Sequence, residues 1–137
     1  MDLATVRAGA KSVLDTIDGL TGYVNGYTSV RPPAAIVMLD EADYWVSMDG
    51  TAGRLQRLDV ALVVLVDRTN ERGALELLDE YASSAGAKSI PAAFLADPTL
   101  GGVVDHAIVR RLVQIGEVRD ANQTYLGAEF LLEIHGR

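Results

Sequence analysis

Two histidines, six serines and a short run of carboxylates are the side chains from which this sequence could build chemistry. His106 and His135 lie far apart, and neither belongs to HExxH, HxH or another spacing that turns zinc ligands to one side of an element. No G-x-S-x-G elbow is present to expose a serine nucleophile. Gly19, Gly22 and Gly26 fit neither the dinucleotide fingerprint nor the phosphate-binding loop. Asp40, Glu41 and Asp43 are close enough to share a proton or to offer oxygens to a hard cation. The ordered ligand spacing of a calcium loop is missing, however, and a solvated acidic loop is the simpler reading. The expectation is a chain with no catalytic residues, no metal and no cofactor. Tyr44 and Trp45 beside those charges suggest a contact surface, because aromatics with a polar handle are enriched where proteins meet; a lid folded onto the core is the alternative.

Composition narrows the classes further. A chain of 137 residues with 49% hydrophobic side chains and no low-complexity tract suits one packed domain, residues 1–137, with a single core. Its formal charge of −7 opposes a broad electrostatic grip on nucleic acid or on an anionic membrane. The N-terminal "MDLATVRAGA" lacks the basic start and apolar stretch of a signal peptide. Val60 to Val66, the longest apolar run, is far shorter than the roughly 20 residues of a membrane span. A soluble protein made in a cytoplasm is expected. The absence of cysteine excludes disulfides and thiolate chemistry.

The elements that must position these residues follow from periodicity. Leu3, Val6, Ala10, Val13, Leu14, Ile17 and Leu20 recur at helical spacing, with Gly19 and Gly22 as stops. Pro32-Pro33 forces an extended entry into a strand at 34–39, after which 40–54 reads as a mobile or extended acidic loop with turn formers Gly50 and Gly53. Gln56 to Asp67 is the strongest strand, β-branched and apolar, and belongs at the centre of a sheet. Leu62→Asp is the single change expected to prevent folding.

Thr69 or Asn70 caps a second amphipathic helix through Ala74, Leu75, Leu77, Leu78, Tyr81, Ala82 and Ala85, closed at Gly86. Ser89 caps a short helix with Pro91 in its first turn. Two strands follow, Val103 to about Val118 and Gln123 to His135, separated by "RDAN". In the last one Leu126, Ala128, Phe130, Leu132 and Ile134 alternate with Tyr125, Glu129, Glu133 and His135, so one face is core and the other is wet or meets a neighbour. The order predicts an α+β fold: a mainly antiparallel sheet of four or more strands, with two longer helices and one short helix packed on it.

The stretches "KSIPAAFLADPTLGGVVDHAIV" and "QTYLGAEFLLEI" resemble the C-terminal half of tail terminator proteins from long-tailed (siphovirus-type) phages, especially those of actinobacterial hosts. "VRAGAKSVLDTIDGL" resembles the family's first helix, "RPPAAIV" its proline-led strand, and "VALVVLVDRTNERGALELLDEY" its central strand and following helix. Order and spacing carry the likeness, since Leu100-Gly101-Gly102 or Tyr125-Leu126-Gly127 alone is short.

The resemblance implies a virion structural protein, not an enzyme, assembled in the host cytoplasm. It would form a homohexameric ring on the head-proximal end of the tail tube, stop polymerisation and join the neck. Its partners would be itself, the tail tube protein and a neck or head-completion protein, with genomic DNA only passing through the lumen and no membrane. Candidate subunit or partner contacts are Asp40, Glu41, Asp43, Tyr44, Trp45, Tyr125, Glu129 and Glu133. A head-completion connector and a small α/β enzyme with a site assembled from distant residues are the alternatives.

Overall fold

The computed structural model describes residues 2–24, 31–45, 54–67, 71–120 and 123–136, with 43–45, 54–56, 71, 118–120 and 123–124 described by backbone alone. Periodicity of 3.6 and of 2 sorts them into three helices and five strands. In chain order these are α1 (Leu3–Asp15), β1 (Thr21–Tyr23), β2 (Ala34–Trp45), β3 (Arg54–Val66), α2 (Glu71–Ala82), α3 (Ile90–Ala96), β4 (His106–Asp120) and β5 (Gln123–His135). The strands form one sheet in the order β1-β2-β3-β5-β4, antiparallel except where β1 lies parallel to β2. The fold is therefore α+β, with a mostly antiparallel sheet, two longer helices and one short helix.

The expected central strand is β3, the third of five. Its Leu58, Val60, Leu62, Val64 and Val66 pair in register with Ile134, Leu132, Phe130, Ala128 and Leu126 of β5, and all ten are buried. They share one hydrophobic cluster with Val6, Ala10, Val13 and Leu14 of α1, Ala74, Leu78 and Tyr81 of α2, and Ile90 and Phe94 of α3. The helices thus cover one face of the sheet, and burying each of these large side chains contributes roughly 1.5–3 kcal/mol.

Local chemistry sets the joints. The Asp15 carboxylate accepts from Lys11 Nζ at 2.6 Å and from the Gly22 amide at 2.8 Å, so the end of α1 is tied to β1. Ser89 caps α3, its Oγ accepting from the Ala92 amide at 3.1 Å, and its hydroxyl donates back to the Ser83 carbonyl. After α3 the chain reverses through Leu100, Gly101 and Gly102, with φ of 52°, 75° and 90°, a left-handed run that two glycines make inexpensive. The Thr99 carbonyl accepts from the amides of Gly102, Val103 and Val104, and buried Leu100 packs over Gly9 of α1, where an added Cβ would lie 3.0 Å from the leucine Cβ.

Five expectations need correction. Helix α1 stops at Asp15, short of Ile17 and Leu20, because the Thr16 and Ile17 amides tighten onto the Val13 and Leu14 carbonyls. Residues 40–45 are not loop: the backbone of β2 continues through Trp45 and pairs with β3 from Arg54, because cross-strand hydrogen bonding outweighs the poor strand propensity of the carboxylates. The last long hairpin starts at His106 rather than Val103, since the three amides bound to Thr99 hold the chain in a turn. Helix α2 ends at Ala82, before Ala85 and Gly86, where Ser83 Oγ donates to the Asp79 carbonyl. "RDAN" is shorter as a turn than expected, for Arg119 and Asp120 still pair with Thr124 and Gln123. The expected caps Thr69 and Asn70, and the turn formers Gly50 and Gly53, lie outside the described residues.

Candidate interaction surface

With helices on one face, the sheet itself is open to a partner on the opposite face and along its two edges. The residues of β3 and β5 that point away from the helices are Arg57, Asp59, Ala61, Val63 and Leu65, facing His135, Glu133, Leu131, Glu129 and Gly127. One end of this face is a charge cluster. The Glu133 carboxylate accepts from Arg110 Nη1 at 2.5 Å, lies 2.6 Å from His135 Nε2 and has Arg57 Nη2 at 3.6 Å; Arg57 also holds Asp59 at 3.3 Å. Glu133 is only 7% exposed. The guanidinium of Arg110 holds its carboxyl below the usual range against the opposing effect of burial, with the His135 ring adding to the lowering. Its role is to neutralise and lock three cationic or polar neighbours on β3, β4 and β5.

The middle of the face is apolar. Ala34, Ile36, Ala61 and Leu65 are buried there, separately from the helix-side cluster, while Met38 beside them is 50% exposed. Farther along, Gly116 pairs with Gly127 across β4 and β5, and the two missing side chains open a trough of about 320 Å³ lined by Val63, Gln114, Glu117 and Glu129. Among the described residues, no imidazole, hydroxyl or amine lines it. Among the described residues no group of three or more His, Asp or Glu could hold a metal ion, and no helix is long and apolar enough to cross a membrane. Tyr81, whose phenol burial pushes up to about 12, is a neutral part of the core.

The edges also carry exposed apolar side chains. β4 is the outer strand on one side, 15 residues long, and carries Leu112, Val113 and Ile115 at 41%, 54% and 44% exposure. Two register irregularities, between Val109 and Arg111 and between Leu112 and Gln114, lie within it. On the other side β1 covers β2 only from Ala34 to Ile36, so among the described residues the outer edge of β2 is open from Val37 onward. Leu39 there is 37% exposed. Beside it the Arg7 Nε donor is buried without an acceptor among the described residues.

The residues singled out in the sequence fall into three groups. Asp40 and Glu41 are exposed on the open edge of β2; Asp43, Tyr44 and Trp45 follow on the same strand, their side chains outside the described residues. Tyr125 and Glu129 lie half-buried on the uncovered face, and Glu133 is locked in its cluster. The structure therefore brings Glu129 and Glu133 to one face and keeps the β2 carboxylates on another strand, two places away in the sheet. Sequence reasoning missed Arg110, Arg111, Leu112, Val113 and Ile115. The signal was present: "RRLVQI" does not alternate between apolar and polar, as a half-buried strand should. No protein-family model and no curated protein matches this chain.

Proposed function

We propose that this chain is a structural, ring-forming subunit of the tail terminator kind, placed at the head-proximal end of a long-tailed phage's tail tube, where it stops tube growth and presents the neck attachment surface. The observation that carries the reading is the pair of open sheet edges. An exposed edge strand is a template for pairing that soluble monomers normally blunt or cover; among the described residues, β4 is a 15-residue outer strand with three exposed apolar side chains, and β2, towards the other side of the sheet, is open from Val37 onward. Head-to-tail contact between unlike surfaces closes into a ring when the rotation between subunits permits. The α+β layer order and the resemblance in the first helix, proline-led strand, central strand and C-terminal hairpin also support it. The acidic charge suits a lumen through which DNA must slide without being held.

The test is electron microscopy of lysates from a phage with an early stop codon in this gene, scoring tail length. Overlong, headless tubes are expected. Tails of normal length beside DNA-filled, tailless heads would instead assign the chain to the head-side connector.

A further inference from the structure

The two sheet edges left open among the described residues carry complementary sequences. On β2 the order is Met38-Leu39-Asp40-Glu41, two apolar residues and then two acidic ones; on β4 it is Arg110-Arg111-Leu112-Val113, two basic and then two apolar. Laid antiparallel, Leu112-Val113 meets Met38-Leu39 and the arginines meet the carboxylates; laid parallel, neither match occurs. We infer that β4 of one copy of this chain pairs antiparallel with the outer edge of β2, from Val37 onward, of the next copy, so that the sheet continues from subunit to subunit.

The faces agree with this pairing. Leu39 pairs with Val60 and Leu112 with Phe130, which puts both leucines on the helix-covered side; Glu41 pairs with Asp59 and Arg111 with Leu131, which puts both charges on the uncovered side. The side chains of Asp40, Glu41 and Arg111 make no hydrogen bond or ion pair among the described residues, and all three residues are exposed. Arg110 is already held by Glu133, which leaves Arg111 as the cation for the neighbour.

Like edges do not fit each other. Two β2 edges laid antiparallel at Leu39 would set Asp40 and Glu41 against Met38 and Val37, and two β4 edges laid at Leu112 would set Arg111 and Arg110 against Val113 and Gln114, so each like pairing forfeits the opposite-charge pairs that stabilise antiparallel partners. The bulge at Asp40 and the irregularities around Leu112 also work against slippage, since uninterrupted strands could slide by two residues and irregular ones cannot. A pairing strand would lie beside Leu39 and Arg7, where the buried Arg7 Nε lacks an acceptor among the described residues.

This inference rests on the self-assembling part of the proposed function and is tested without phage. Arg111→Glu makes both edges acidic, and Asp40→Lys with Glu41→Lys makes both basic. Sedimentation velocity at physiological salt, with circular dichroism melts to establish folding, should show the wild type assembling beyond a dimer. Each variant alone should self-associate roughly tenfold or more weakly, because like charges then meet at every junction. An equimolar mixture should recover assembly, since every mixed junction is again complementary.

A wild type that stays monomeric, or stops at a dimer, overturns the inference. So does either variant assembling like the wild type, or a mixture of folded variants that fails to recover. The two readings fail separately. Edge pairing that passes this test in a chain whose loss leaves tails normal overturns only the tail assignment, and overlong tails with unchanged assembly of the variants overturn only the edges.

Discussion

Glu133→Gln isolates the charge cluster, because the amide keeps the size of the side chain and removes only its charge. The carboxylate has Arg110 at 2.5 Å and His135 at 2.6 Å, with Arg57 farther away at 3.6 Å. Losing a hydrogen bond to a charged group costs about 1.5–3 kcal/mol. Arg110 and His135 are each about half exposed, so solvent screens part of the attraction and the lower end, about 1.5 kcal/mol, applies. An unfolding entropy of about 2.1 cal/mol/K per residue turns that into a fall in Tm of about 5 °C for a chain of this length.

The pH dependence fixes the cause. The carboxyl of Glu133 is lowered in the folded protein, so its contribution is complete above the pKa of an unfolded glutamate and is lost as pH falls through the lower folded value. Thermal melts of wild type and variant followed by circular dichroism, from neutral pH to about pH 3, should show a gap that is constant near neutrality and closes in acid. Equal melting temperatures at neutral pH, or a gap that persists unchanged into acid, would refute the charge-based account.

Two further changes probe the scaffold. Leu62 is fully buried at the centre of the sheet against Phe130, so Leu62→Asp places a carboxylate where nothing can pair with it, and the protein should yield no cooperative thermal transition; a native-like melt would sink the assignment of β3 as the core strand. Ser89→Ala removes both the cap on Ala92 and the donor to Ser83, at an expected cost of about 1–2 kcal/mol. Urea titration reads that loss directly, and an unchanged midpoint would mean that α3 is held by the packing of Ile90 and Phe94 alone.

Local pattern was enough for most elements. The spacing of Val6, Ala10, Val13 and Leu14 specified α1, the apolar run through Leu62 specified a central strand, and Ser89 with Pro91 specified the start of α3, because each signal lies within one or two turns or a single strand. Alternation in β5 even told which side chains would face the helix-side core, although Glu133 on the other face is buried as well. Strand β1 escaped notice because three residues carry no period, and the continuation of β2 into its acidic half escaped because the hydrogen bonds that hold it come from β3.

The candidate surface depended almost wholly on pairing between distant segments. That Glu133 would be locked rather than offered to a partner follows only from the juxtaposition of β4 and β3 on either side of β5, which brings Arg110 and Arg57 to it. That Leu112, Val113 and Ile115 stay uncovered follows from β4 being outermost, a consequence of sheet order. The sequence by itself determined which segments are helix or strand and which face of each is apolar, since those are short-range properties of side-chain spacing. Only the tertiary structure decided which strands became edges, which charges found partners and which apolar residues were left without any, because these depend on contacts between residues far apart in the chain.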